Sequence, residues 1–178
     1  LIHILALAAF VPWLFSWPGL ISMIAGVFIF GQGINLCYHR ILAHKSARLP
    51  KWLEYCFVIV ALCCMEDTPA SWVSTHRRHH KDSDQHSDPH SPLVTFLWGH
   101  CGWLMFHNKE TKSLATYQKY APDILKDPFY LKLEKSSAWI WFYIGHAFLY
   151  FLIGLTIGGV QLGLSLLVWG VLVRTVAV

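Results

Sequence analysis

The chain has 178 residues, of which 55% are hydrophobic, 15% aromatic and only 13% charged, with a mean hydropathy of +0.44. This composition argues against a water-soluble single domain, and it excludes disorder because so apolar a chain does not stay solvated. The formal charge of +4 arises from 14 Lys and Arg against 10 Asp and Glu with no basic run, so no nucleic-acid partner is expected. Cys37, Cys56, Cys63, Cys64 and Cys101 are odd in number and form no C-x-x-C pair, which points to neither a disulfide framework nor a thiolate zinc site.

The positions of the charges say more than their number. Residues 1–39 and 136–173 carry no Asp, Glu, Lys or Arg; 23 of the 24 charges lie in 40–135, and Arg174 is the exception. Each uncharged block is about twice the roughly 20 residues that one helix needs to cross a bilayer core. Each is also interrupted near its middle by turn chemistry, Trp17-Pro18-Gly19 in the first and Gly158-Gly159 in the second. The expected architecture is all-α and integral to the membrane, with four transmembrane helices in two hairpins, 1–15 with 20–38 and 138–157 with 160–177. The blocks 1–38 and 137–178 then flank a helical cap over 39–136, the whole forming one domain. A signal peptide does not fit the first block, which lacks a basic start and stays apolar past its break. The chain begins at Leu1 and stops at Val178 inside the fourth apolar span, so a fragment incomplete at both ends is expected.

With 13 of 14 basic residues in the central segment, that segment is expected to face the cytoplasm. Two apolar stretches within it, Tyr55 to Met65 and Leu93 to Phe106, are too short to span and fit interfacial or re-entrant helices, with Trp98 and Trp103 suited to an interface. A crossing at 55–65 would also put His39 and His76 on opposite sides of the membrane.

Eleven histidines are many for this length, and five fall into two clusters, His39-Arg-Ile-Leu-Ala-His44 and His76-Arg-Arg-His79-His80. On an α-helix His76, His79 and His80 share an arc of about 100°, which lets three imidazoles project from one face. His39 and His44 are about 140° apart on an ideal α-helix, so they either straddle two metals or sit where the second span unwinds on leaving the membrane. Imidazole serves Zn, Cu, Fe and Ni alike, so the spacing does not choose the metal.

His39-x4-His44 followed by His76-x-x-His79-His80 between two hydrophobic hairpins resembles the membrane fatty-acid desaturases, specifically the Δ9 acyl desaturases of bacterial type. The likeness continues through Pro50-Lys-Trp-Leu-Glu-Tyr55, Trp72-Val-Ser-Thr-His76, Ser83-Asp84, Asp88-Pro89-His90 and Gly99-His-Cys-Gly102-Trp103-Leu104, and so covers nearly the whole chain. The resemblance implies a non-haem di-iron centre, two Fe ions that activate O2 to introduce a cis double bond into a fatty-acyl chain. The partners it implies are an acyl-CoA, acyl-lipid or acyl-carrier thioester substrate, O2, the bilayer, and a cytoplasmic electron donor such as a ferredoxin or a cytochrome b5-like protein. Carried over residue by residue, His39, His44, His76, His79 and His80 are iron ligands, and Trp72 lines the bent acyl tunnel.

The resemblance also implies a third cluster, H-x-x-H-H, and an Asn-x3-His pair beyond the fourth span, which this chain does not contain, so it is expected to be inactive alone. Ser74 and Thr75 stand where similar animal acyl-CoA enzymes carry Arg and Asp for the coenzyme A head group, and Glu66 stands where the family often has Gln. Among the remaining residues, His90 is expected to be structural or to meet a head group, and His86 to be exposed. His100 is expected to be a satisfied structural histidine. His3 and His146 are expected to pack within spans through a local hydrogen bond. Arg77 and Arg78 either meet lipid phosphate or an acidic electron donor or form a solvated face, and Glu110 to Lys135 is expected to form short cytoplasmic helices without chemistry. The competing readings are a hydroxylase on the same scaffold and, in a different class, a metal-binding membrane transporter.

Overall fold

A computed structural model of the chain describes residues 1–83, 85, 87–106 and 112–178. Asp84, His86 and Glu110, named above, lie outside the described residues. Among the described residues the chain is entirely helical, with no strand. The helices in order are α1 (Ile2–Ala6), α2 (Trp17–Gln32), α3 (Lys51–Leu62), α4 (Pro69–Asp82), α5 (Trp103–Met105), α6 (Leu114–Tyr120), α7 (Pro122–Leu125), α8 (Pro128–Lys135), α9 (Ala138–Ser165) and α10 (Arg174–Ala177). Three π-helical stretches accompany them, at Gly33–Ala43, Trp98–Gly102 and Leu166–Val173. Two continuous helical stretches are long and apolar enough to cross a membrane, Trp17–Ala43 and Ala138–Ala177. The described residues form two compact units, Leu1–Asn35 with Tyr55–Met65 and Ile140–Val178, and Leu36–Glu54 with Glu66–Trp139.

In the first unit the opening arm is not the continuous helix expected over 1–15. After α1 come two short 3-10 turns, Leu7–Phe10 and Pro12–Leu14, with Val11 extended between them. Pro12 is the cause: it supplies no N–H and drives the residue before it out of the helical region. Trp17-Pro18-Gly19 does not break a helix but starts one. Ser16 caps α2 by accepting the Gly19 N–H at 3.0 Å, and Pro18 sits in the first turn where its missing N–H costs nothing.

Gly158-Gly159 breaks the second block as expected. Both residues leave helical geometry, and Gly159 adopts φ +76°, a region open to glycine. The two arms on either side of the break are antiparallel neighbours: a Cβ on Gly154 would lie 2.6 Å from the Gly163 Cα, and Tyr143 hydrogen-bonds Thr175 at 3.1 Å. The turn before α2 is tied to the second apolar block by Ser16 to Ser165 (2.6 Å), Gln161 to the Trp13 carbonyl (2.8 Å) and Trp169 to the Leu14 carbonyl (3.1 Å). α3 packs its Val58, Ala61 and Leu62 fully buried, with Gly33 so close that a Cβ there would meet the Ala61 nitrogen at 2.5 Å. Apolar side chains cover the outside, Phe10 (84% exposed), Phe28 (70%) and Ile157 (74%) among them.

Arg174, the one cation outside the charged segment, is fully buried in this unit. Its guanidinium donates to the Cys63 carbonyl at 2.8 Å, lies 4.1 Å from the centre of the Phe30 ring and contacts His146 Nε2 at 3.1 Å. His146 Nε2 therefore has a partner 28 residues away on the returning arm.

The second unit is tied by polar contacts. Lys51 bridges Glu54 (2.7 Å) and Asp127 (3.0 Å), and the Tyr130 hydroxyl donates to the buried Glu54 carboxylate at 2.5 Å. Thr68, at the start of α4, donates its hydroxyl to Glu134 at 2.5 Å. Burial pushes the Glu134 carboxyl up to about 7, against the opposing pull of the Thr68 bond. A group that holds its proton more tightly folded than unfolded contributes stability that is complete below its ordinary value and fades as pH rises through about 7. Glu134→Gln keeps the acceptor and removes the ionisation. The wild-type protein in detergent is expected to lose about 1–3 kcal/mol between about pH 5 and about pH 8 that the variant retains. Parallel melting curves for the two proteins across that range would refute this.

Candidate metal centre

The first histidine cluster lies at the end of the Gly33–Ala43 π-helix. An i→i+5 hydrogen-bond pattern carries roughly 4.4 residues per turn, so residues five apart fall within about 50° rather than 140°. The His44 amide indeed donates to the His39 carbonyl at 3.0 Å, and the two rings meet edge to face at 4.6 Å. The π geometry, unwound relative to an α-helix, puts both imidazoles on one face.

α4 supplies the second cluster. Thr68 precedes Pro69 in the first helical position, and residues Pro69–Thr75 are buried, which leaves the C-terminal half to project its histidines. His76 and His80, one turn apart, bring their Nε2 atoms to 3.0 Å, and His76 Nε2 meets His44 Nε2 at 3.1 Å. His44 Nε2 in turn lies 3.1 Å from His39 Nε2. One nitrogen from each of His39, His44, His76 and His80 falls within a 4.8 Å sphere of donors.

His79 is not in that group. Its Nδ1 lies 2.9 Å from Asp88 Oδ1, and its ring stacks on His90 at 4.2 Å. On α4 it sits on the opposite side of His76 from His80, so the arc that holds the three splits at its edge. Asp88 is 1% exposed in its side chain and also accepts the His90 amide at 3.1 Å. Burial pulls the Asp88 carboxyl up, but the bonds from His79 and the His90 amide outweigh it and hold it below the usual value. His90 packs between His79 and Trp103, and His79, Asp88 and His90 each bring one possible metal-ligand atom within 4.8 Å of the others. The Asp88 contact is one that helical periodicity does not reveal.

The four clustered nitrogens make three contacts in a row, 39 to 44, 44 to 76 and 76 to 80. A neutral imidazole nitrogen has a single in-plane site, either a proton or a lone pair, so such a row satisfies at most two of its three contacts by hydrogen bonding. A cation bound among these nitrogens would relieve the unsatisfied contact by accepting lone pairs in place of protons. Nitrogens 3.0–3.1 Å apart can both lie at roughly 2.1 Å from one ion. Burial, followed by the neighbouring histidines, pushes His76 down to about 3, and the same causes lower His80, so both are neutral donors at physiological pH. The residues fit a divalent transition metal.

Trp72 is buried one turn before His76 and stacks on its ring, with centroids 4.7 Å apart and planes 20° apart. Its Nε1 donates to Glu66 at 3.1 Å, and the ring of Tyr38, which has no exposed surface, packs against that of Trp72 with centroids 5.6 Å apart. Burial raises the Glu66 carboxyl above its ordinary value despite the Trp72 bond. Ser74 and Thr75 are buried, the Ser74 hydroxyl being spent on the Ser71 carbonyl.

The fatty acid desaturase family model matches residues 12–178. The chain is similar to an sn-1 stearoyl-lipid 9-desaturase of Anabaena variabilis, 38% identical over 98% of this chain and 60% of that protein. It is also similar to an sn-2 palmitoyl-lipid 9-desaturase of a Nostoc species, 41% identical over 73% of this chain and 46% of that one. An acyl-CoA 5-desaturase of Anemone leveillei is 37% identical over 98% of this chain and 51% of its own. The chain spans about half the length of the curated relatives it matches. Match and geometry converge on one conclusion: this chain belongs to the fatty acid desaturase family.

Proposed function

We propose that the protein to which this chain belongs is an O2-dependent fatty-acyl desaturase that introduces a cis Δ9 double bond into a lipid-linked acyl chain. The observation that carries the reading is the convergence of four imidazole nitrogens from two separate histidine clusters, in a chain of this family. His39, His44, His76 and His80 would hold metal directly. His79, whose Nδ1 faces Asp88, has Nε2 left for a second ion. Two iron ions bound there supply the oxidation of two adjacent, unactivated methylene groups with O2. The protein residues hold neutral nitrogens in place, and Trp72, fixed by Glu66, presents an apolar wall beside His76 for the acyl chain.

The lipid-linked substrate is favoured by the names of several relatives and by Ser74 and Thr75, uncharged and buried, which offer nothing to the phosphates of a coenzyme A. The apolar exterior of the first unit supports four spans in two hairpins, 1–38 and 137–178, and the basic residues of 39–136 support a cytoplasmic cap. Electrons would come from a cytoplasmic donor of the ferredoxin or cytochrome b5 kind. The test is expression of the full-length protein in a host lacking its own desaturase, with fatty acids resolved by gas chromatography. Monounsaturated acyl chains with the bond at carbon nine are expected; an unchanged lipid profile from a well-expressed, membrane-inserted protein would reject the reading.

A further inference from the structure

Arg77, between two histidines of the second cluster, points back into its own unit. Its Nε–H donates to the Ala43 carbonyl at 3.0 Å. One terminal nitrogen donates to the Tyr120 carbonyl (3.0 Å) and Asp123 Oδ1 (2.7 Å), and the other to the Leu42 carbonyl (2.8 Å) and Asp123 Oδ2 (3.1 Å). A guanidinium has five N–H groups, and all five are engaged. This leaves none for a lipid phosphate or an acidic electron donor, the roles entertained for it above.

The acceptors are informative. Leu42 and Ala43 end the π-helix that carries the first cluster, and terminal carbonyls of a helix lack partners within it. The chain turns away at Lys45, which adopts φ +53° and pairs with the same Asp123 at 3.0 Å. Ala43 adjoins His44, and Arg77 adjoins His76. The carbonyls and the guanidinium therefore join the two clusters one residue from the nitrogens that meet at 3.1 Å. We infer that Arg77, seated by Asp123, is a positioning residue that fixes the end of the first-cluster helix against α4 and so sets His44 opposite His76. A bidentate carboxylate and three carbonyls around one side chain require the five donors of the planar fork; an ammonium has three donors and no such plane.

The inference rests on the reading of the four histidines as a metal site, and ferrous iron alone is the probe. In the full-length protein purified in detergent, Arg77→Ala is expected to weaken iron binding about tenfold to a hundredfold, as loss of a group supporting metal ligands does. Arg77→Lys should be nearly as weak. Asp123→Asn, which keeps the shape of the clamp, should show a smaller loss and serves if the Arg77 variants do not fold. Millimolar guanidinium ion should restore iron binding to Arg77→Ala but not to His76→Ala. A lowered melting temperature with iron affinity unchanged, or no recovery with guanidinium, would overturn the assignment. Failure of the wild-type protein to bind iron would instead strike at the metal site itself.

Discussion

His44→Ala in the full-length protein is expected to abolish double-bond formation and to strip the metal from the cluster. His44 Nε2 lies 3.1 Å from His76 Nε2 in the second cluster and 3.1 Å from His39 Nε2 in the first, so it bridges the two. Without it, the nitrogen that joins the two clusters is lost and His39 keeps only an edge-to-face contact with His76, centroids 4.7 Å apart. Because His44 is exposed, its truncation should cost the fold no more than about 0.5 kcal/mol, so loss of activity would not reflect unfolding. Activity should drop at least about a hundredfold, with a matching fall in iron per chain by elemental analysis. His100→Ala, which removes a ring stacked on Phe96 outside the cluster, is the control and should leave both unchanged. Persistence of unsaturated product in the His44 variant would remove the cluster from the reaction.

Much of this arrangement is legible in the residues because the membrane and the metal each impose a strong pattern. Long uncharged blocks follow from the cost of charge in hydrocarbon, and the break at Gly158-Gly159 follows from backbone freedom that only glycine supplies. His76 and His80 follow from helical period, whereas His79, on the other side of His76, turns to Asp88 and His90 instead. Where period is the wrong guide, the reading fails. The first cluster sits on a π-helix, a geometry with no sequence signature as plain as an α-helical stripe, so an arc computed for 3.6 residues per turn misplaces His44. The first arm fails for a local reason that was available, the clash of Pro12 with a helical Val11. Arg77 with Asp123 and His146 with Arg174 are pairings across 46 and 28 residues, invisible to any local pattern. The charged segment 110–135, expected to carry no chemistry, supplies in Asp123 the anchor of the clamp.

Asp88→Ala is expected to weaken iron binding by about tenfold to a hundredfold while leaving the four-nitrogen cluster assembled. Asp88 is nearly inaccessible, and one of its oxygens faces two groups at once, His79 Nδ1 at 2.9 Å and the His90 amide at 3.1 Å. A carboxylate so placed accepts the Nδ1 proton, which fixes the tautomer of His79 and leaves its Nε2 as the lone-pair donor. It also tethers the turn that lays the His90 ring on His79, so the imidazole is held on one edge and one face. Alanine releases both holds. Asparagine preserves an oxygen acceptor without the charge and should fall between alanine and the wild type, a gradation that a purely steric role would not produce. Iron titrations of the three proteins, followed by the number of ions bound per chain, separate the alternatives. If Asp88 were itself a metal ligand, asparagine would be as damaging as alanine; if it served only to fold the turn, iron affinity would stay level as the melting temperature dropped.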